Sequence, residues 1–262
     1  MTQSDLNRGY GPAALVTGAS NGIGRAFAHA LAAQGFDLVL VARSAEVLTA
    51  LATDLTGRYG VAVTVLPCDL GQPGAVADIL TLTAGHQIGL LVAAAGFGSA
   101  GAFLSRPIGD EVNMVDVNCR SVVELTHGIA QRLVAQKRGG MVLFGSLLGF
   151  QGAPYSATYA ATKNFIQAFA EGLAVELGPQ GVNVLAVAPG PVDTGFGTRA
   201  QMRLSQTETP DTVAQVALAT LGRRTTIRPG ALAKFLGLSL ALLPRWARVR
   251  VLGRLMQDMA KP

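Results

Sequence analysis

The sequence predicts an α/β protein with one doubly wound parallel sheet. Short, β-branched apolar runs alternate with longer segments of helical periodicity along most of the chain. The apolar runs are hydrophobic almost without interruption, which is typical of strands covered on both faces by helices. Together, the alternation and the continuous hydrophobicity favour a sheet of about seven parallel strands with helices on both faces.

The elements follow one another in a regular order. Strands are predicted at 13–17, 37–42, 61–66, 88–95, 140–145 and 182–188, with a weaker seventh near 224–229. Helices are predicted between them, at 23–34, 46–59, 73–83, 107–136, 157–177 and 210–221. No repeat or low-complexity linker divides the chain, so we expect one domain over 1–262, with an apolar and basic extension from about residue 230.

Composition and charge narrow the class of protein. Half of the 262 residues are hydrophobic and 14% are charged, which excludes a disordered chain. The net charge of +5 is uneven: residues 1–194 hold 10 Lys/Arg and 13 Asp/Glu, whereas 195–262 hold 11 and 3. The chain shows neither a signal-peptide pattern nor an apolar run of membrane-spanning length, and Cys68 and Cys119 lack metal-ligand spacing. We therefore expect a cytoplasmic protein without a metal site.

A glycine-rich stretch after the first predicted strand, ALVTGASNGIGRAF, permits two interpretations. Gly18, Ser20 and Gly22 match G-x-S-x-G, the nucleophile turn of serine hydrolases. Gly18, Gly22 and Gly24 equally fit a strand-to-helix turn whose backbone N–H groups bind a dinucleotide phosphate. A hydrolase also needs a later histidine base, but the histidines all lie in or beside early predicted helices, at His29, His86 and His127. The phosphate interpretation is therefore favoured.

A second group of polar residues lies far downstream. Tyr159 and Lys163 are one helical turn apart, so both project from one helix face, where an ammonium group is expected to lower the pKa of the phenol. Ser146 lies thirteen residues before Tyr159, just after a predicted strand, where open α/β sheets bind ligands. Asn118 falls inside a predicted helix, where asparagine is mildly unfavourable.

With these motifs in order, residues 13–221 resemble the short-chain dehydrogenase/reductase family. The matching stretches are TGASNGIG, CDL at 68–70, AAG at 94–96, Asn118, Ser146, YAATK and PGPVDT at 189–194. The resemblance implies that Tyr159 exchanges a proton with a carbonyl or alcohol oxygen and that Ser146 hydrogen-bonds this oxygen. It further implies that Lys163 binds the nicotinamide ribose and lowers the Tyr159 pKa, and that Asn118 steadies a water-linked proton relay.

The same resemblance implies a Rossmann-type nicotinamide site. Asp69 would lie by the adenine, and Val192 and Thr194 by the nicotinamide carboxamide, although a helix cap and a turn bond would also explain Asp69 and Thr194. The expected cofactor-binding residues are Gly18, Ser20, Asn21, Gly22, Ile23, Gly24, Arg43, Asp69, Leu70, Ala95, Gly96, Tyr159, Lys163, Pro189, Gly190, Val192 and Thr194. The chain departs from the family at Ala94, where an asparagine is usual.

The end of the second predicted strand bears on which cofactor is bound. It carries Ala42 and Arg43 and lacks the carboxylate that bonds the ribose 2′-hydroxyl in NAD-binding proteins. The planar guanidinium of Arg43 can bind a 2′-phosphate. Arg43 could also simply extend over the start of the next helix. The sequence favours NADP (NADPH).

Apolar residues near the catalytic motifs predict a hydrophobic substrate. We expect contacts from 96–105, 147–156 and the segment after 194, together with Ser146 and the apolar side chains Phe97, Phe103, Leu147, Phe150 and Phe196. The predicted function is hydride transfer between NADP(H) and a hydrophobic ketone or secondary alcohol, such as a 3-oxoacyl or steroid-like compound. The alternative is a catalytically silent NADP-binding regulator with the same fold.

The basic C-terminal extension admits several partners. Its apolar runs and arginines could cover the pocket, join subunits, or lie against an anionic membrane surface or an acidic carrier. A solvated helix face beside a buried one explains the pattern more simply. No motif indicates nucleic-acid binding. Segments 107–136 and 157–177 resemble the helices that pair between subunits in the family, which predicts a homodimer or homotetramer.

Overall fold

The computed structural model describes residues 3–200 and 207–259 and contains one seven-stranded sheet in which every neighbouring pair is parallel. The strand order is β3-β2-β1-β4-β5-β6-β7. The strands are β1 (Ala13–Thr17), β2 (Asp37–Ala42), β3 (Val63–Pro67), β4 (Ile88–Ala93), β5 (Gly139–Phe144), β6 (Val182–Val187) and β7 (Thr226–Ile227). The predicted doubly wound sheet is confirmed. The order reverses between β1 and β4, which opens a crevice at their carboxyl ends.

Helices cover the sheet. They are α1 (Gln3–Tyr10), α2 (Gly22–Ala32), α3 (Ala45–Tyr59), α4 (Ala75–Leu82), α5 (Ile108–Val115), α6 (Ser121–Ala135), α7 (Ala157–Leu177), α8 (Phe196–Ala200), α9 (Pro210–Thr220), α10 (Ala231–Ala241) and α11 (Arg245–Met259). The single helix predicted over 107–136 is divided, because a π-helical turn at Asp116–Arg120 separates α5 from α6. The sequence did not predict α1 or α8.

The core lies on both faces of the sheet. Along β2, Leu38 and Leu40 pack into one apolar cluster while Val39 and Val41 pack into the other. This alternation follows from strand geometry, since successive side chains point to opposite faces. Both faces are therefore buried, which explains why the strands have no polar side in the sequence.

Helix α3 begins and ends at residues suited to those positions. The Ser44 hydroxyl accepts a hydrogen bond from Val47 N at 3.3 Å and so caps the first turn. The helix ends at Gly60, whose φ of 69° is the left-handed conformation that glycine adopts without steric cost.

The last helix is held against the carboxyl edge of the sheet by apolar contacts. Met256 is buried in a cluster with Ala153, which follows β5, and with Ala160 of α7. Leu252 is buried one turn earlier on the same side of α11. Within the described ranges, no helix combines the length and the apolar character needed to cross a membrane.

Candidate active site

The turn after β1 is shaped by glycines that no other residue could replace without strain. Gly18 has a φ of +67°, and a Cβ there would lie 2.9 Å from the backbone of Ala95. Gly22 has a φ of +54°, and its Cβ would lie 2.7 Å from the Thr194 side chain. The Asn21 side chain accepts a hydrogen bond from Gly22 N at 2.7 Å and so begins α2 at this turn. The turn thus presents the N-terminus of α2, which attracts anions, to the crevice.

A cleft of about 420 Å³ runs along the carboxyl edge of the sheet from this turn. Among the residues described, its wall contains every expected cofactor-binding residue except Lys163: Gly18, Ser20, Asn21, Gly22, Ile23, Gly24, Arg43, Asp69, Leu70, Ala95, Gly96, Tyr159, Pro189, Gly190, Val192 and Thr194. Residues that lie far apart in the sequence are therefore brought to one site.

Local hydrogen bonds also occur at the positions for which the sequence left two interpretations open. The Asp69 carboxylate accepts a bond from Gly71 N at 3.1 Å, and the Thr194 hydroxyl accepts one from Phe196 N at 3.1 Å. Both residues nevertheless line the cleft. At each of these residues a local hydrogen bond therefore coexists with a place in the cleft wall, and the cofactor contact stays a prediction.

Two side chains hold the loop after β4, where Ala94 replaces the usual asparagine of the family. The Thr17 hydroxyl accepts a hydrogen bond from Ala95 N at 3.0 Å. Further along the loop, Asn118 Oδ1 accepts from Phe97 N at 3.1 Å, and Asn118 Nδ2 donates to Phe97 O at 2.9 Å. The loop is thus fixed at both ends without an amide side chain at position 94.

Asn118 is only 1% exposed and lies in the π-helical turn, which the sequence did not predict. Its second amide hydrogen is donated to Thr162 Oγ1 at 3.1 Å, and this hydroxyl in turn donates to Tyr159 O at 2.8 Å. The side chain therefore joins the Phe97 loop to the helix that carries Tyr159. This geometry shows a positioning contact, while the proton-relay role stays a prediction.

Ser146 and Tyr159 form the polar centre of the cleft wall. Ser146 follows β5, and its hydroxyl accepts a hydrogen bond from Leu148 N at 3.2 Å. Burial raises the pKa of Tyr159 to about 12, and its hydrogen bond with Ser146 opposes part of this rise. The phenol is therefore protonated near neutral pH and suited to donate a proton.

Lys163 lies behind Tyr159 and is not part of the cleft wall. Its Nζ donates to Phe144 O at 2.9 Å and lies 5.7 Å from the centre of the Tyr159 ring. Burial lowers the pKa of Lys163 to about 8. The Tyr159 pKa lies above its usual value and not below it, because burial of the phenol is the dominant effect and raises the pKa. The expected lowering by Lys163 stays a prediction.

The expected substrate contacts are only partly brought together. Phe97, Leu147 and Phe196 line the cleft, and the Phe196 ring lies 5.3 Å from that of Tyr159. Phe103 is 55% exposed and lies outside the wall. Phe150 is also outside the wall, because its ring packs beneath the Arg228 guanidinium at 4.3 Å. Of the predicted segment after 194, residues 201–206 lie outside the described residues.

Part of the apolar wall comes from the C-terminal helices. The sequence did not predict which individual residues of these helices line the cleft. These residues are Leu240 of α10 and Val251, Leu252, Leu255 and Met256 of α11. The spacing of the α11 residues is the i, i+1, i+4, i+5 pattern of a helix face, which the sequence displays. The sequence did not show which surface this face covers. The pocket cover was one of the possibilities considered for this extension.

The hydrolase interpretation of the glycine turn fails on the same geometry. His29 lies 4.0 Å from the Asp54 carboxylate, and His86 lies within hydrogen-bond distance of Thr64. Among the described residues that line the cleft there is no histidine, since His29, His86 and His127 all lie elsewhere. Ser20 therefore has no histidine base.

A parallel sheet in this order, with a glycine turn at the crevice and a buried serine–tyrosine pair beside it, defines the class of dinucleotide-binding oxidoreductases. The chain belongs to the short-chain dehydrogenase family, whose model matches residues 12–204. The family assignment made from the sequence is confirmed.

Individual relatives show how far the similarity extends. A very-long-chain 3-oxoacyl-CoA reductase of Pyrenophora tritici-repentis is 32% identical over 216 residues, which cover 80% of this chain and 63% of that protein. A solved 7beta-hydroxysteroid dehydrogenase is similar with a TM-score of 0.87 and 27% identity, covering 94% of this chain and 98% of the other. A short-chain dehydrogenase from Sphingobium yanoikuyae, solved in complex with NADPH, has a TM-score of 0.79 and 33% identity over 88% and 93% of the two chains.

Proposed function

We propose that this chain uses NADPH to reduce a hydrophobic ketone to a secondary alcohol and catalyses the reverse reaction with NADP. The observation that carries the proposal is the position of Ser146 and Tyr159. They line the same cleft as the glycine turn and the apolar side chains of α11. The two hydroxyl groups can therefore meet a carbonyl that lies between a cofactor and an apolar pocket.

The residues at the glycine turn fit a dinucleotide. Gly18 and Gly22 leave space where any side chain would collide with Ala95 or Thr194. Arg43 is exposed at the cleft rim, directly after β2, where it can pair with a 2′-phosphate. The NADPH complex of the similar Sphingobium yanoikuyae protein supports the same preference.

The proposed chemistry divides between cofactor and protein. NADPH supplies the hydride when it is bound. Tyr159 donates its phenolic proton to the carbonyl oxygen, and Ser146 donates a hydrogen bond to the same oxygen. The phenolate that remains is close to the Lys163 ammonium and recovers a proton from solvent. Asn118 keeps the Phe97 loop and the Tyr159 helix in register.

The apolar side chains of the cleft favour a bulky, hydrophobic substrate. Phe97, Leu147 and Phe196 lie on one part of the wall, and Leu252 and Met256 lie on the part supplied by α11. The names of the relatives support 3-oxoacyl and steroid-like ketones as the classes to test first. A pocket with few polar groups binds such compounds mainly through buried apolar area.

Turnover tests this proposal directly. NADPH absorbance is followed with aliphatic, aromatic, steroid and acyl-thioester ketones for the wild type, Tyr159→Phe and Tyr155→Phe. Tyr155 is a matched control because it is exposed and lies outside the cleft wall. We expect Tyr159→Phe to lower kcat by about 10²-fold or more while Tyr155→Phe stays active. Full activity of Tyr159→Phe would refute the assignment, and NADPH binding without any turnover would favour the regulator.

Two further expectations belong to the proposal. Exposed apolar residues on α5 and α7, among them Val112, Val115 and Phe165, support a homodimer or homotetramer. A cytoplasmic location stays a prediction. Sedimentation of the purified protein measures its oligomeric state, and fractionation of cells measures its location.

A further inference from the structure

An apolar stripe on α10 points away from the protein. Phe235, Leu238 and Leu242 follow the i, i+3, i+7 spacing of one helix face and are 69%, 67% and 82% exposed. Of the eighteen large apolar side chains that are exposed within 3–200 and 207–259, seven lie between residues 231 and 259. Such a concentration is unusual for a surface that contacts only water.

A second set of exposed apolar side chains lies on α11 at the cleft. Val251 and Leu255, one turn apart on α11, are 47% and 48% exposed and also line the cleft. Their neighbours Leu252 and Met256 are buried in the same wall. On α11, exposed apolar side chains therefore reach the pocket itself.

The same two helices carry exposed cations. Lys234, Arg245, Arg250 and Arg254 are exposed, and the Arg250 guanidinium lies 5.0 Å from the centre of the Trp246 ring. Asp258 is the single acidic residue that the sequence contains between 231 and 259. Trp246 is 62% exposed. Tryptophan is enriched at membrane–water interfaces, where its amphipathic ring lies at the level of the lipid headgroups.

We propose that the outer face of α10 and α11, called here the docking face, binds the surface of an anionic lipid bilayer. The apolar stripe would enter the boundary between headgroups and acyl chains, and the cations would pair with lipid phosphates. A second copy of this chain fits less well, because two docking faces brought together would place like charges opposite each other.

The docking face would give a lipophilic ketone a direct path from the bilayer into the cleft. This consequence rests on the proposed function, since it requires a hydrophobic substrate. Binding to lipid does not require turnover, so the two proposals fail separately. If the protein binds vesicles but reduces no ketone, the proposed function is refuted. If it reduces ketones but does not bind vesicles, the proposed lipid binding is refuted.

Trp246 is the single tryptophan of the chain and therefore reports on the docking face alone. The full chain is titrated with vesicles of phosphatidylcholine, with or without phosphatidylglycerol, while tryptophan fluorescence is recorded. We expect a blue shift with the anionic vesicles, quenching by lipids brominated on the acyl chains, and binding that weakens as salt is added. No shift, or equal binding to both kinds of vesicle, would overturn the proposal.

Paired variants separate the apolar and the charged contributions. Leu238→Ser with Leu242→Ser should weaken vesicle binding at least tenfold, whereas Leu82→Ser with Val175→Ser, at 62% and 76% exposure, should not change it. Arg245→Gln with Arg254→Gln should weaken it about 30-fold. Exchange of Arg223 and Arg224 for glutamine is the matched charge control.

Two measurements distinguish other occupants of the docking face. If Leu238→Ser with Leu242→Ser lowers the mass in sedimentation but leaves vesicle binding unchanged, the face joins subunits and the proposal is overturned. If the wild-type chain binds an acidic carrier protein but no vesicles, the proposal is also overturned. Unchanged reduction of a small water-soluble ketone shows that each variant is folded.

Discussion

Replacing Asn118 by leucine tests whether this buried amide holds the active-site loop. The substitution keeps the size of the side chain but removes the partner of Phe97 N, the partner of Phe97 O and one bond to Thr162. Each buried hydrogen bond that is lost costs about 0.5–1.5 kcal/mol. Because Thr162 still donates to Tyr159 O, only the two bonds to Phe97 are counted. The expected loss of unfolding free energy is about 1–3 kcal/mol.

The loss is measured by urea unfolding of the wild type, Asn118→Leu and Asn113→Leu. Asn113 is the matched control for stability, since it is an exposed asparagine on the neighbouring helix α5. We expect Asn113→Leu to change the unfolding free energy by less than about 0.5 kcal/mol. Equal effects of the two substitutions, or a loss below about 1 kcal/mol for Asn118→Leu, would refute the reasoning.

Three further outcomes are expected. Gly22→Ala should weaken NADPH binding about tenfold or more in a fluorescence titration, because the added Cβ collides with Thr194. Gly60→Ala is the control: Gly60 has a φ of +69°, but an added Cβ meets no atom within 4 Å, so this substitution should lower stability and leave the affinity for NADPH unchanged. Burial lowers the Lys163 pKa from 10.5 to about 8, so the unfolded chain takes up this proton first as pH falls. As pH falls from 10.5 to 8, the unfolding free energy of the wild type should therefore decrease by on the order of 3 kcal/mol relative to that of Lys163→Met, with no further decrease below pH 8. Urea unfolding of both proteins at several pH values measures this difference. The same pH dependence of the unfolding free energy in the two proteins would contradict the prediction. Met256→Ala should raise the preference in kcat/KM for a bulkier over a smaller ketone about tenfold, and an unchanged ratio would place Met256 away from the substrate.

The central architecture could be predicted because its signals are local. Strand β1 and helix α7 begin and end where the sequence predicts, since a doubly buried strand and a long helix each carry a clear apolar pattern. The π-helical turn at Asp116–Arg120 has no such signal, because its extra residue per turn leaves the helical periodicity nearly intact.

The site was predictable to different degrees for similar reasons. The glycine turn, Ser146 and Tyr159 have characteristic spacings, and the structure brings them to one cleft. Phe150 was misplaced because an aromatic residue on a loop gives no sign of its direction, and here it faces Arg228. The raised Tyr159 pKa depends on how deeply the phenol is buried, which sequence spacing does not determine. The single-domain prediction for 1–262 stays a prediction.

The part of the cleft wall that α11 supplies has a consequence for how the substrate range of such a chain can change. The proposed chemical groups lie between Gly18 and Thr194, whereas the α11 side chains that face them, from Val251 to Met256, come from a separate and later stretch of the chain. Mutations in that stretch can reshape the space offered to a substrate while the proton donor and the phosphate cradle keep their neighbours. The part of substrate selectivity that α11 supplies is thus encoded apart from the proposed catalytic groups, so new substrates can be acquired without changing those groups.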